Sequence, residues 1–179
     1  MNWWWVVLVT AVVVGLGLWL SWTANRLDRM HHRIELARTS LDAQLLRRSG
    51  TALELVASEV LDKASALLLY EAAHEARAVP PDRFEAAESA LSEVLRAVFA
   101  DEEQTQALRR HRDVGPLLHE LAADCRKVEL ARRFHNDVVV SARSLRSRKR
   151  VQWLRLAGHA AELQTVDLDD VPPPHLVAD

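Results

Sequence analysis

The stretch from Trp3 to Ala24, WWWVVLVTAVVVGLGLWLSWTA, contains no Asp, Glu, Lys or Arg, and nothing else in the chain restricts its fold as strongly. About 20 apolar residues at about 1.5 Å rise each cover roughly 30 Å, the hydrocarbon thickness of a bilayer, and a helix satisfies its own backbone groups there. The stretch therefore reads as a transmembrane helix, with residues 1–24 as the anchor. Trp3, Trp4 and Trp5 at one end and Trp19 and Trp22 at the other place indoles at both headgroup levels. A cleaved signal peptide fits less well. No Lys or Arg precedes the apolar run, and Trp22 would occupy the minus-three position of a cleavage after Ala24, where a small residue is wanted.

Orientation follows from the positive charges, which stay on the cytoplasmic side. Arg26, Arg29, Arg33 and Arg38 all follow the apolar run. The expected topology is single-pass with the N-terminus outside the cell membrane and the rest cytoplasmic, and Arg26 and Arg29 join the tryptophans at the membrane interface. The lone Cys125 agrees with a reducing compartment. Gly15 and Gly17 do not form a GxxxG pair, and Ala11 with Gly15 gives only a weak small-residue contact, so homo-oligomerisation is left open.

Beyond the anchor, about 155 residues remain, enough for one domain with a core. Gly and Pro are confined to a few points, with Ala, Leu, Glu and Arg between them, and no run alternates long enough to read as a strand. The class is all-α. Leu27, Met30, Ile34, Ala37, Leu41 and Leu45 make one helical stripe. A turn is expected at residues 49–51, where Gly50 ends a helix and Thr51 with Glu54 forms a capping box; a helix running through Gly50 is the alternative. A second helix then spans Thr51 to about Ala78 with Leu53, Val56, Val60, Ala64, Leu67 and Tyr70 inward. Pro80 and Pro81 stop it. Asp82 is expected to cap a third helix carrying Phe84, Ala87, Leu91, Val94 and Val98, kinked near residue 101. Gly115-Pro116 precedes a fourth with Leu118, Leu121, Cys125, Val128, Ala131, His135, Val138, Ala142 and Leu145 inward. The transmembrane helix is thus followed by an antiparallel up-and-down four-helix bundle over residues 25–157. Residues 158–179, acidic and containing three consecutive prolines, read as an extended, mobile tail.

Ile34-Glu35, Ala37, Leu41-Asp42, Gln44-Leu45 and Arg47-Arg48, with Leu55-Val56, resemble the first signature of the LemA family, and Glu129 to Val139, ELARRFHNDVV, resembles the second. The layout of membrane helix and helical bundle is similar as well. Three departures mark a divergent relative: Arg38 stands where the family has Trp, Gly50 to Glu54 replaces an Asp-x-x-Pro-Asn run, and His135 replaces Tyr. The resemblance implies a bacterial membrane, no established enzymatic activity, and a role for the first and fourth helices.

No catalytic set is legible. Glu71-x-x-His74 has the spacing of di-iron bundles but no second copy, and neither GxSxG nor a phosphate loop occurs. No cofactor or metal ligand set is assigned. His31 and His32 read as ordinary juxtamembrane residues. Asn136 and Asp137 beside the core stripe need polar partners, and Arg47, Arg48, Arg132 and Arg133 are the candidates for a polar seam. Arg143, Arg146, Arg148, Lys149, Arg150 and Arg155, with Trp153 among them, form a basic surface suited to anionic headgroups, or a solvated helix end. Nucleic acid is a poor fit at a net charge of -2 without a binding motif. The function these features suggest is a membrane-anchored adaptor or scaffold with a lipid bilayer and a protein partner; a metal- or small-ligand-binding bundle is the alternative.

Overall fold

The computed structural model describes residues 3–80, 82–146 and 164–177, without the side chains of residues 20, 22–31, 145 and 146. The expectations for the side chains of Trp22, Arg26, Arg29, His31 and Arg146, and for Arg148, Lys149, Arg150, Trp153 and Arg155, therefore lie outside the described residues. Among those described, all regular structure is helical: α1 Trp3–Ala57, α2 Lys63–Ala78, α3 Phe84–Val98, α4 Glu102–Arg110, α5 Gly115–Arg146 and the short α6 Pro174–Val177. The chain divides into two units, residues 1–36 with 137–164 and residues 37–136 with 165–179.

In the first unit every residue of α1 from Trp3 to Trp19 is exposed. Thr10, its one hydroxyl, donates back to Val6 O at 2.8 Å, which leaves a helix with no polar face. Among the described residues no helix is long and apolar enough to cross a membrane. The run whose side chains are described, Trp3–Trp19, has 17 residues, and a span needs about 20.

The second unit is a bundle of the later part of α1 with α2, α3 and α5. Arg38 lies against Phe84 and Arg48 against Ser92, so α3 runs along α1 in the same direction. Thr51 meets Asp124, while Leu41 and Leu45 cluster with Val128, so α5 runs opposite. Arg77 near the end of α2 reaches back to Leu46, which reverses α2 as well. The main core joins Ala52 and Leu55 of α1, Leu69 and Ala73 of α2, Leu91 and Leu95 of α3, Phe99, and Leu118 and Leu121 of α5. Each fully buried large side chain here contributes about 1.5–3 kcal/mol of transfer free energy.

The turn expected at residues 49–51 is absent, and α1 continues through Gly50 to Ala57. Thr51 does not cap a helix. Its hydroxyl donates to Asp124 Oδ2 at 2.9 Å and lies 3.2 Å from Arg47 O one turn back, as a helix-interior threonine does. The break falls at Ser58 to Leu61 instead, where Glu59 takes a φ of 58°. Asp62 then caps α2 by accepting from Ala64 N and Ser65 N at 3.0 and 3.1 Å. This resets the helical phase. Leu67 and Tyr70, expected inward, are exposed, and Leu69, Ala72 and Ala73 are buried in their place.

Arg83 rather than Asp82 occupies the capping position of α3, because the Pro80 turn closes Arg83 N onto Pro80 O at 3.0 Å. The kink near residue 101 is a full break, after which Asp101 caps α4 by accepting from Gln104 N. Gly115 opens α5 where the chain passes close to itself: a Cβ there would come 2.3 Å from Arg109 O.

Candidate functional site

Residues 164–173 are extended, as expected for the tail, but they are packed against the bundle rather than mobile. Val166 and Leu168 enter a cluster with Leu41, Leu45 and Val128, and Leu176 reaches the main core. Side chains alternate as along a strand, with Val166, Leu168 and Asp170 buried and Asp167 and Asp169 exposed. The period-2 pattern in Val-Asp-Leu-Asp-Asp was the available signal for this.

Helix side chains, not a neighbouring strand, hydrogen-bond the backbone of this segment at Val166, Asp167, Asp169 and Val171. The carboxamide of Asn136 takes both groups of Val166, with Oδ1 accepting from Val166 N at 2.8 Å and Nδ2 donating to Val166 O at 2.9 Å. Glu85 Oε1 accepts from Asp167 N at 3.0 Å, and Ser89 Oγ accepts from Asp169 N at 2.9 Å. Farther along, Arg109 Nη2 donates to Leu176 O at 2.6 Å and Arg126 Nη1 to Val177 O at 3.3 Å.

Two arginines read the acids. Arg132 holds Asp170 in a two-pronged pair at 2.5 and 2.9 Å, with the carboxylate buried. Arg96 holds Asp169 at 2.5 and 3.1 Å and also donates to Val171 O at 2.9 Å. The hydrogen bonds from Arg96 keep the Asp169 carboxyl below the usual aspartate range. The arrangement can recognise an extended acidic segment through backbone, apolar side chains and charge together.

The expected polar seam divides. Arg132 and Asn136 belong to this groove, while Arg48 is buried with Glu88, Nη2 to Oε2 at 2.6 Å, and donates to Ser92 Oγ at 2.8 Å. Burial pushes the Glu88 carboxyl up, with Arg48 opposing the shift. Arg47 is exposed, 3.9 Å from Glu120, and Arg133 pairs with Glu129 on its own helix. Asp137 is exposed. Neither Arg47 nor Arg133 meets Asn136 or Asp137, because one helical position carries each around to solvent. Sequence reasoning missed Glu88, Ser92, Asp124 and Asp170, which carry the buried polar contacts. Of the basic surface, Arg143 is exposed. Thr51 with Asp124, which also accepts from Lys127 Nζ at 3.0 Å, forms a second polar tie.

Glu71 and His74 lie on the exposed face of α2, with His74 stacked on Tyr70 at 5.7 Å. Among the described residues no group of three or more His, Cys, Asp or Glu is placed to hold a metal. A pocket of about 240 Å³ opens between α1, the end of α2 and the start of α3. Comparison with protein-family models, curated proteins and solved structures gives no match to this chain.

Proposed function

We propose that this chain is a single-pass, membrane-anchored helical-bundle adaptor, without catalytic activity, whose bundle lies at the cytoplasmic face of a bacterial membrane. The observation that carries the adaptor reading is the groove. Asn136, Glu85 and Ser89 grip backbone, and Arg96 and Arg132 grip carboxylates, of this chain's own residues 166–170, so an extended acidic partner segment would be held there by displacing that stretch. Anchoring is supported by the outward-facing apolar side chains of Trp3 to Trp19, a surface that water does not tolerate at this extent. Leu20 to Ala24 extend the uncharged run to the length of a span.

Relatedness to the LemA family belongs to the same proposal. Its first signature places Ala37, Leu41, Leu45 and Arg48 inward, and its second supplies Arg132 and Asn136 to the groove. The exposed pair Leu130 and Phe134, one turn apart on the face of α5 opposite Arg132 and Asn136, gives a protein partner a separate apolar contact. Photocrosslinking in cells from Phe134 and from the exposed Val171, with products identified by mass spectrometry, tests the reading. A dominant adduct to one foreign protein is expected; adducts confined to lipid or to this chain itself would remove the adaptor.

A further inference from the structure

The pocket between α1, α2 and α3 has a chemistry of its own, independent of the groove and of anchoring. We propose that it binds a small organic monoanion, a carboxylate on a compact apolar body, with the Arg77 guanidinium as the partner of the charge.

Four charged side chains line the pocket: Arg38, Asp42, Arg77 and Glu88. Two carboxylates there would repel an anion if left bare, but each has its own guanidinium. Asp42 lies 3.0 Å from Arg38, and Glu88 lies 2.6 Å from Arg48. Arg77 differs. Its Nη1 donates to Leu46 O at 3.2 Å and to Ser49 Oγ at 3.4 Å, both uncharged, and among the described residues it forms no ion pair. The four lining charges sum to zero, but Arg48 behind the wall answers Glu88, so Arg77 is the lining cation without a carboxylate of its own; its side chain is solvent-exposed and tethered to α1 through Nη1. A guanidinium held on one edge keeps its remaining donors in a plane that matches a carboxylate.

Apart from Ser49, the rest of the wall is apolar: Leu45, Leu46, Ala76, Val79 and the ring of Phe84, on which Arg38 stacks at 4.4 Å from the centroid. At about 240 Å³ the space falls below the roughly 300–1,000 Å³ of pockets that take drug-sized ligands. A ligand of phenylacetate size, with its ring against Leu46 and Val79 and its carboxylate toward Arg77, fits the volume and the lining.

The test is calorimetry on the full chain in lipid nanodiscs, titrated with phenylacetate and separately with phenylacetamide, with empty nanodiscs subtracted. Saturable phenylacetate binding is expected, with the amide about tenfold weaker and Arg77→Gln lowering phenylacetate affinity about tenfold. A diazirine-bearing phenylacetate should label peptides containing Leu46, Val79 or Phe84. If Arg77→Gln loses its melting transition, Ala76→Phe serves in its place, since it fills the pocket and leaves the guanidinium; it should abolish both heat and labelling. Equal affinity for acid and amide, binding indifferent to both substitutions, labelling elsewhere, or no saturable heat up to about 10 mM each overturns the site.

Discussion

Asn136 holds Val166 by both backbone groups, accepting from its N–H at 2.8 Å and donating to its C=O at 2.9 Å. A carboxamide in this geometry fixes the position and direction of an extended chain whatever its side chains, so it sets the register in which Leu168 is buried and Asp170 meets Arg132. Asn136→Leu leaves a part-buried N–H and C=O without partners. A loss of about 1–3 kcal/mol of bundle stability is expected, with amide exchange accelerated first at residues 166–171. Chemical denaturation and hydrogen exchange measure the two effects. Unchanged exchange in that segment would show that the apolar contacts alone hold it.

Asp169 makes the groove sensitive to acid. Its carboxyl titrates below the ordinary 3.8 because of the hydrogen bonds from Arg96. Its contribution is complete above 3.8 and is lost as pH falls through the lower folded value, because the unfolded chain takes up the proton first. Protection factors at residues 166–171, the exchange rates normalised to the intrinsic rate at each pH, should therefore fall more steeply on acidification in the native chain than in Asp169→Asn.

Arg48 and Glu88 are both almost fully buried, so each protects the other from an uncompensated charge. Arg48→Met and Glu88→Leu, made singly, should each cost about 3–5 kcal/mol, and the double variant should recover most of that loss. Additive losses in the double-mutant cycle would mean that the pair is not coupled.

Gly50 and Gly115 separate two uses of glycine. At Gly50 an added Cβ meets only Arg77 Nη1, at 3.7 Å, inside a continuous helix. Gly50→Ala should raise stability by up to about 1 kcal/mol. Gly115→Ala should lower it, since its Cβ would lie 2.3 Å from Arg109 O and backbone must move. Thermal melts of the two variants should shift in opposite directions.

The Cys125 thiol is buried, which pushes its pKa up to about 11. Alkylation at neutral pH should be negligible in the native chain and should become rapid only with global unfolding.

Local rules made part of this fold legible. Ala37, Leu41 and Leu45 on α1, and Leu118, Leu121, Cys125 and Val128 on α5, lie on the stripes that their three- and four-residue spacing predicts, and all are buried. Pro80 stops α2 as a residue without an N–H must. The misplaced break has a physical cause. Gly50 permits a turn but does not require one, and Thr51 gains more from Asp124 across the bundle than from a local cap. The true break, at Ser58 to Leu61, has neither Gly nor Pro; Asp62 with Ser65 was the cap to read. The break shifts the helical phase, which turns Leu67 and Tyr70 outward and Leu69, Ala72 and Ala73 inward. The groove was hidden for a different reason. Pro172 to Pro174 and the acids suggested disorder, whereas partners for Asp169 and Asp170 come from Arg96 and Arg132, 73 and 38 residues away in sequence.

The proposed role at a membrane presupposes the anchor. Membranes from cells making the full chain, extracted with alkaline carbonate, test it directly against a variant lacking residues 3–24. The account predicts that the full chain stays in the membrane pellet and that the deletion variant appears in the supernatant with its helical melting transition intact. Full-length chain released by carbonate would contradict a spanning helix at Trp3 to Ala24 and, with it, the reading of this bundle as a membrane-anchored adaptor.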